Sequence, residues 1–74
     1  MTEPYQDLAN AIILRAVKDY REALRKLKKR PNYGPAQDIK NEVERFFRSD
    51  WYRELTSVDG NFLIKNLRSE VRRS

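Results

Sequence analysis

Residues 4–30 read PYQDLANAIILRAVKDYREALRKLKKR, and their apolar members fall at Tyr5, Leu8, Ala9, Ile12, Ile13, Ala16, Val17, Tyr20, Ala23, Leu24 and Leu27. Steps of three and four sustained over this distance are the pattern of one long amphipathic helix with a single buried stripe. Thr2 and Pro4 suit its start, because the N–H that proline lacks has no intrahelical partner in a first turn. Pro31 stops it, and Pro31-Asn32-Tyr33-Gly34-Pro35 has the chemistry of a turn. At about 1.5 Å per residue, a helix over about 4–30 runs to roughly 40 Å. That exceeds the width of a domain built from 74 residues, so the rest of the chain is expected to fold back along it.

Downstream, Ala36, Ile39, Val43, Phe46 and Phe47 form the apolar stripe of a second helix over about 36–48, with Asp38, Glu42, Glu44 and Arg48 on its outer face. Ser49 and Asp50 offer capping oxygens ahead of a short helix over about 50–56, either separate or a continuation of the second across a bend. Thr56-Ser57-Val58-Asp59-Gly60 breaks the pattern, and Asp59 suits the cap of a last helix over about 60–72 whose apolar residues are Phe62, Leu63, Ile64, Leu67 and Val71. No segment alternates as a strand does. The expected fold is therefore all-α, a single domain over residues 1–74 with one long N-terminal helix packed against two or three shorter ones. The aromatic residues Tyr5, Tyr20, Phe46, Phe47, Trp51, Tyr52 and Phe62 mostly read as core. Tyr33 either packs over the ends of two helices or is displayed to a partner.

Composition removes most catalytic chemistry. The 74 residues contain no Cys and no His, which takes away disulfides, thiolate nucleophiles, Cys-bearing zinc sites and the commonest general base. Glu42 and Glu44 point in different directions on a helix and make no carboxylate pair. Asp38 and Glu42 share a face beside Lys40 and Arg45, as solvated surface charge does. Asp59-Gly60-Asn61 lacks the spaced oxygens and closing Glu of a calcium loop. No Gly-rich phosphate loop or nucleophile elbow is present. The expectation is a protein that is not an enzyme and needs no cofactor or metal. The longest apolar run, Ala11–Leu14, is far short of the roughly 20 residues of a membrane span, and no signal-peptide core follows the acidic start. A soluble cytoplasmic protein with no membrane partner is the expectation.

The formal charge of +5 is unevenly placed. Residues 15–30 carry eight bases against Asp19 and Glu22, and residues 65–74 carry Lys65, Arg68, Arg72 and Arg73 against Glu70, while the remaining segments are slightly acidic. On a helical wheel, Arg15, Lys18, Arg21, Arg25, Lys28 and Lys29 gather within about 80° of Lys18, opposite Tyr20, Leu24 and Leu27. This ridge suits a phosphate backbone, which offers one charge per ~1.7 Å of duplex. A face that merely keeps a small chain soluble is the plain alternative. Lys65, Arg68 and Arg72 recur at three and four as a second patch. The third and last helices also stand in helix-turn-helix order, with Lys65, Asn66 and Arg68 in the reading position. Base-reading side chains are few, so backbone contact is better supported than sequence readout.

The stretches Ala16-Val17-Lys18-Asp19-Tyr20-Arg21, Glu44-Arg45-Phe46-Phe47-Arg48-Ser49-Asp50-Trp51-Tyr52 and Leu55-Thr56-Ser57-Val58-Asp59-Gly60, with Leu63-Ile64, resemble short proteins encoded in prophages and integrative mobile elements of Firmicutes bacteria. The resemblance covers roughly residues 14–68 and implies a setting rather than a mechanism. In that setting a small basic helical protein either handles DNA or RNA, through its backbone, or acts on a host protein, for example as an anti-defence inhibitor. A homodimer, in which part of the first helix finds its apolar partner in a second copy, is a further expectation.

Overall fold

A computed structural model describes residues 4–73, with side chains from Gln6 onward. The expected roles of Thr2 at the helix start and of Tyr5 in the core lie outside the described residues. Among the described residues four helices follow one another: α1 (Pro4–Lys29), α2 (Gly34–Phe47), α3 (Asp50–Leu55) and α4 (Gly60–Arg73). The architecture is the expected all-α bundle, with no strand among the described residues.

The boundaries follow local chemistry. Gly34 and Pro35, expected in the turn, instead form the first turn of α2, where proline costs no hydrogen bond. The turn itself is the short stretch closed by Tyr33 N–H donating to the Arg30 carbonyl at 3.0 Å. Ser49 separates α2 from α3: its hydroxyl donates to the Phe46 carbonyl at 2.6 Å and accepts from the Tyr52 N–H at 3.2 Å. Asp59 caps α4, with its carboxylate accepting from the Asn61 N–H at 2.9 Å. Gly60 lies so close to α2 that a Cβ there would overlap the Phe47 carbonyl oxygen.

Side-chain partners give the directions of the helices. Along α1, Ile12 neighbours Val43 and Phe46, Tyr20 meets Glu44, and Lys28 neighbours Lys40, so α2 runs antiparallel to α1. Val17 neighbours Leu63, Tyr20 meets Arg68, and Lys28 meets the end of α4, so α4 runs parallel to α1. The short turn after α1 forces the first relation. α3 reverses the chain for the second. The resulting body measures 42 × 22 × 18 Å, its long axis close to the length of α1.

The core joins Val17, Tyr20, Phe47, Tyr52, Ile64 and Leu67. Its rings meet edge to face, Tyr20 on Phe47 at 5.9 Å and Tyr52 on Phe47 at 5.5 Å, the geometry that the ring quadrupole favours. The Tyr52 hydroxyl is buried without a hydrogen-bond partner among the described residues.

Several side chains expected in the core stand outside it. Leu8 is 61 % exposed because it falls about 80° from Lys18 on the helical wheel, on the outer side of α1, while its neighbour Ala9 turns inward and is buried. Phe62 is exposed because Phe62, Leu63 and Ile64 are consecutive and a helix turns one of any such three outward. Trp51 rests one edge against Phe46 at 5.4 Å, and the six-residue α3 leaves its other side open. Ile39 lies at the margin of the α2 stripe and is partly exposed. Glu44, expected on the outer face, is instead only 7 % exposed. Tyr33 is half-buried beneath Arg30, whose guanidinium carbon sits 4.8 Å from the ring centroid.

Candidate nucleic-acid interface

The nine basic residues expected to meet phosphate divide into three groups by what they already touch. Lys18, Arg25 and Lys29 are exposed on the outer face of α1 and form no ion pair among the described residues. Arg15 extends that face toward the N-terminus, 3.5 Å from Asp19 in an exposed i,i+4 pair of the kind worth little. Lys26 lies exposed beside them. From Lys18 to Lys29 the face is roughly 16 Å long.

Arg21 and Lys28 stand at the edge of the ridge and hold α4 in place. Arg21 grips Glu70 through Nε at 2.6 Å and Nη2 at 3.2 Å, a two-pronged pair. Lys28 Nζ donates to the Val71 carbonyl at 3.1 Å and the Arg72 carbonyl at 3.4 Å, satisfying acceptors in the last turn of α4 with a charge suited to that end of the helix. The side of α1 facing α4 is thus a structural seam as much as a charged surface.

The α4 residues form the third group. Arg68 turns inward: Nη2 donates to Glu44 Oε2 at 2.6 Å and Nε to the Tyr20 hydroxyl at 3.1 Å. Tyr20 in turn donates to Glu44 Oε2 at 2.6 Å, and Lys40 Nζ is 3.0 Å from the same oxygen. Burial disfavours the Glu44 charge, but the hydrogen bonds from Tyr20, Arg68 and Lys40 and the Lys40 charge outweigh it and hold the carboxyl down at about 2. Burial, with the Glu44 hydrogen bond and charge, pushes the Tyr20 hydroxyl up to about 12 against the opposing pull of Arg68. A recognition helix would need Arg68 free; here it is committed to the bundle. Lys65 and Arg72 are exposed on the flank of α4 beside α2. Tyr20 runs from α1 through the core to that flank, whereas Lys18, Arg25 and Lys29 lie about 140–180° round α1 from Tyr20. The two patches therefore lie on opposite faces.

The sequence reading missed Glu44 and Arg48. Glu44 lies about 60° from Phe47 on the wheel, inside the margin of the buried stripe, and that placement was the available signal. Arg48 was lost in a segment whose net charge is slightly acidic.

Among the described residues no group of three or more Asp or Glu could hold a metal ion, and no helix is long and apolar enough to cross a membrane. Comparison with protein-family models, with curated proteins and with solved structures returns no match.

Proposed function

We propose that this protein binds nucleic acid without catalysing a reaction, laying the outer face of α1 along a phosphate backbone. The observation that carries the reading is the contrast within one helix: Arg21 and Lys28 are used up in holding α4, while Lys18, Arg25 and Lys29 extend into solvent with no acidic partner among the described residues. Clustered cations, here interrupted only by Glu22 with Asp19 at the edge, attract polyanions and release their counterions on binding. The setting is the cytoplasm of a bacterium carrying a mobile element, as the resemblance to prophage and integrative-element proteins implies. Gel shift with duplex DNA and with RNA at low salt tests it: a shift that the Arg25→Glu/Lys29→Glu variant weakens while keeping its helical circular dichroism supports the reading, and no shift with either nucleic acid sinks it.

A second reading, a module that binds a protein, rests on a different observation. Leu8, Leu14, Trp51, Val58 and Phe62 are large, apolar and exposed, and all belong to the first half of α1 or to the segment from α3 to the start of α4. Light scattering separates a second copy from a foreign partner, a dimer at high concentration identifying the former. A nuclease-resistant host protein recovered by pull-down identifies the latter.

A further inference from the structure

On the side of the bundle away from the exposed ridge of α1, the seam between α2 and α4 opens as a groove of about 430 Å³, lined by Arg48 just after α2 and by Asn61, Ile64, Lys65, Arg68, Ser69 and Arg72 of α4. Four of the seven lining side chains are cationic. The carboxylate behind them, Glu44, is buried and already shared by Tyr20, Lys40 and Arg68. Arg48 approaches it only at 3.9 Å and spends its Nε on the Asn61 side-chain oxygen at 3.0 Å, which fixes the guanidinium across the end of the groove. Arg68 is fixed as well, by Nε and Nη2, while its Nη1 makes no hydrogen bond among the described residues. Two guanidiniums held by neutral or buried partners, beside two exposed cations with no ion pair among the described residues, form an anion site in which the ordering cost of both guanidiniums is met before a ligand arrives.

The place of this groove gives it a consequence for function. The Tyr20 side chain points from α1 through the core to Arg68 at the seam, and the α1 ridge faces the other way, across a body only 22 × 18 Å in its short dimensions. Duplex DNA, stiff over about 150 base pairs, does not curl round so narrow a body to touch both faces. We propose that the α2–α4 groove is a second phosphate site and that one protein molecule bridges two duplexes, one along α1 and one at the groove. The proposal rests on the α1 reading above.

The test is a co-capture assay with the full chain, one duplex on beads and a second, labelled duplex in solution. Wild-type protein is expected to carry the labelled duplex onto the beads. The Lys65→Glu/Arg72→Glu variant changes two exposed side chains; its capture is expected to fall to the level without protein, while a gel shift on a single duplex remains. A wild-type gel shift without co-capture overturns the bridging proposal and leaves the α1 reading standing. The absence of any gel shift overturns both. Co-capture that survives Lys65→Glu/Arg72→Glu also overturns it, since bridging would then come from two copies of α1 in a dimer.

Discussion

Arg68 Nη2 and Glu44 Oε2 stand 2.6 Å apart at the point where α1, α2 and α4 meet, and the Tyr20 hydroxyl bonds to both residues. One contact thus ties α2 to α4, and the tyrosine brings in α1. In a domain whose core supplies about 3–5 kcal/mol, this polar centre decides a large share of the stability.

Acid should unfold the protein through Glu44. Its carboxyl is lowered from 4.5 to about 2 in the folded state, so the stability it confers is fully present above pH 4.5 and is lost as pH falls toward 2. At about 1.4 kcal/mol per pH unit the amount is roughly 3 kcal/mol. Thermal melts from pH 6 to 2 should show a steep fall that Glu44→Gln flattens, the variant being less stable at neutral pH.

The two buried tyrosines should respond in opposite ways to loss of the hydroxyl. Tyr20→Phe removes a donor to Glu44 and an acceptor from Arg68 and should cost about 1.5–3 kcal/mol. Tyr52→Phe removes a buried hydroxyl without a partner among the described residues and should be neutral or stabilising by about 1 kcal/mol. Urea unfolding of both variants measures the difference, and equal losses would remove the distinction between the two sites.

Gly60→Ala should destabilise by about 1–3 kcal/mol or more, since its new methyl meets the backbone of Phe47 and forces α4 away from α2. Gly34→Ala meets nothing within 4 Å, and since the Pro35 ring disfavours a helical residue with a Cβ before it, offsetting the entropy gain, the change should stay within about 1 kcal/mol of neutral. Their melting temperatures should move in opposite directions or differ by several degrees.

The helical layout was legible from the sequence because it depends on local signals: the three-and-four spacing of α1, the stop at Pro31, and the caps at Ser49 and Asp59. Gly34 and Pro35 were misplaced because the same residues that make a turn also open a helix. The polar centre was harder to see. Glu44, Tyr20 and Arg68 are 24 residues apart in each step along the chain, and nothing local marks a carboxylate that burial will pair. For the same reason the basic residues read as one ridge and one patch, whereas Arg21, Lys28 and Arg68 acquire internal partners only once α4 is docked.

That division yields a prediction within α1. Arg21→Glu should lower the melting temperature by setting a carboxylate against Glu70, whereas Arg25→Glu should leave it within the range of a surface substitution, about ±0.5 kcal/mol. Calorimetry on the two variants checks it; equal effects would mean that Arg21 belongs to the open ridge.

The central claim, that α1 carries phosphate contacts through Lys18, Arg25 and Lys29, is tested most directly by the salt dependence of duplex binding. Log K should fall linearly with log salt concentration, with a slope of about −2.7 or steeper for three neutralised phosphates at roughly −0.9 each. The slope should become shallower by about 1 for each of Lys18→Glu, Arg25→Glu and Lys29→Glu. Binding that ignores salt, or a slope these three substitutions leave unchanged, would contradict it.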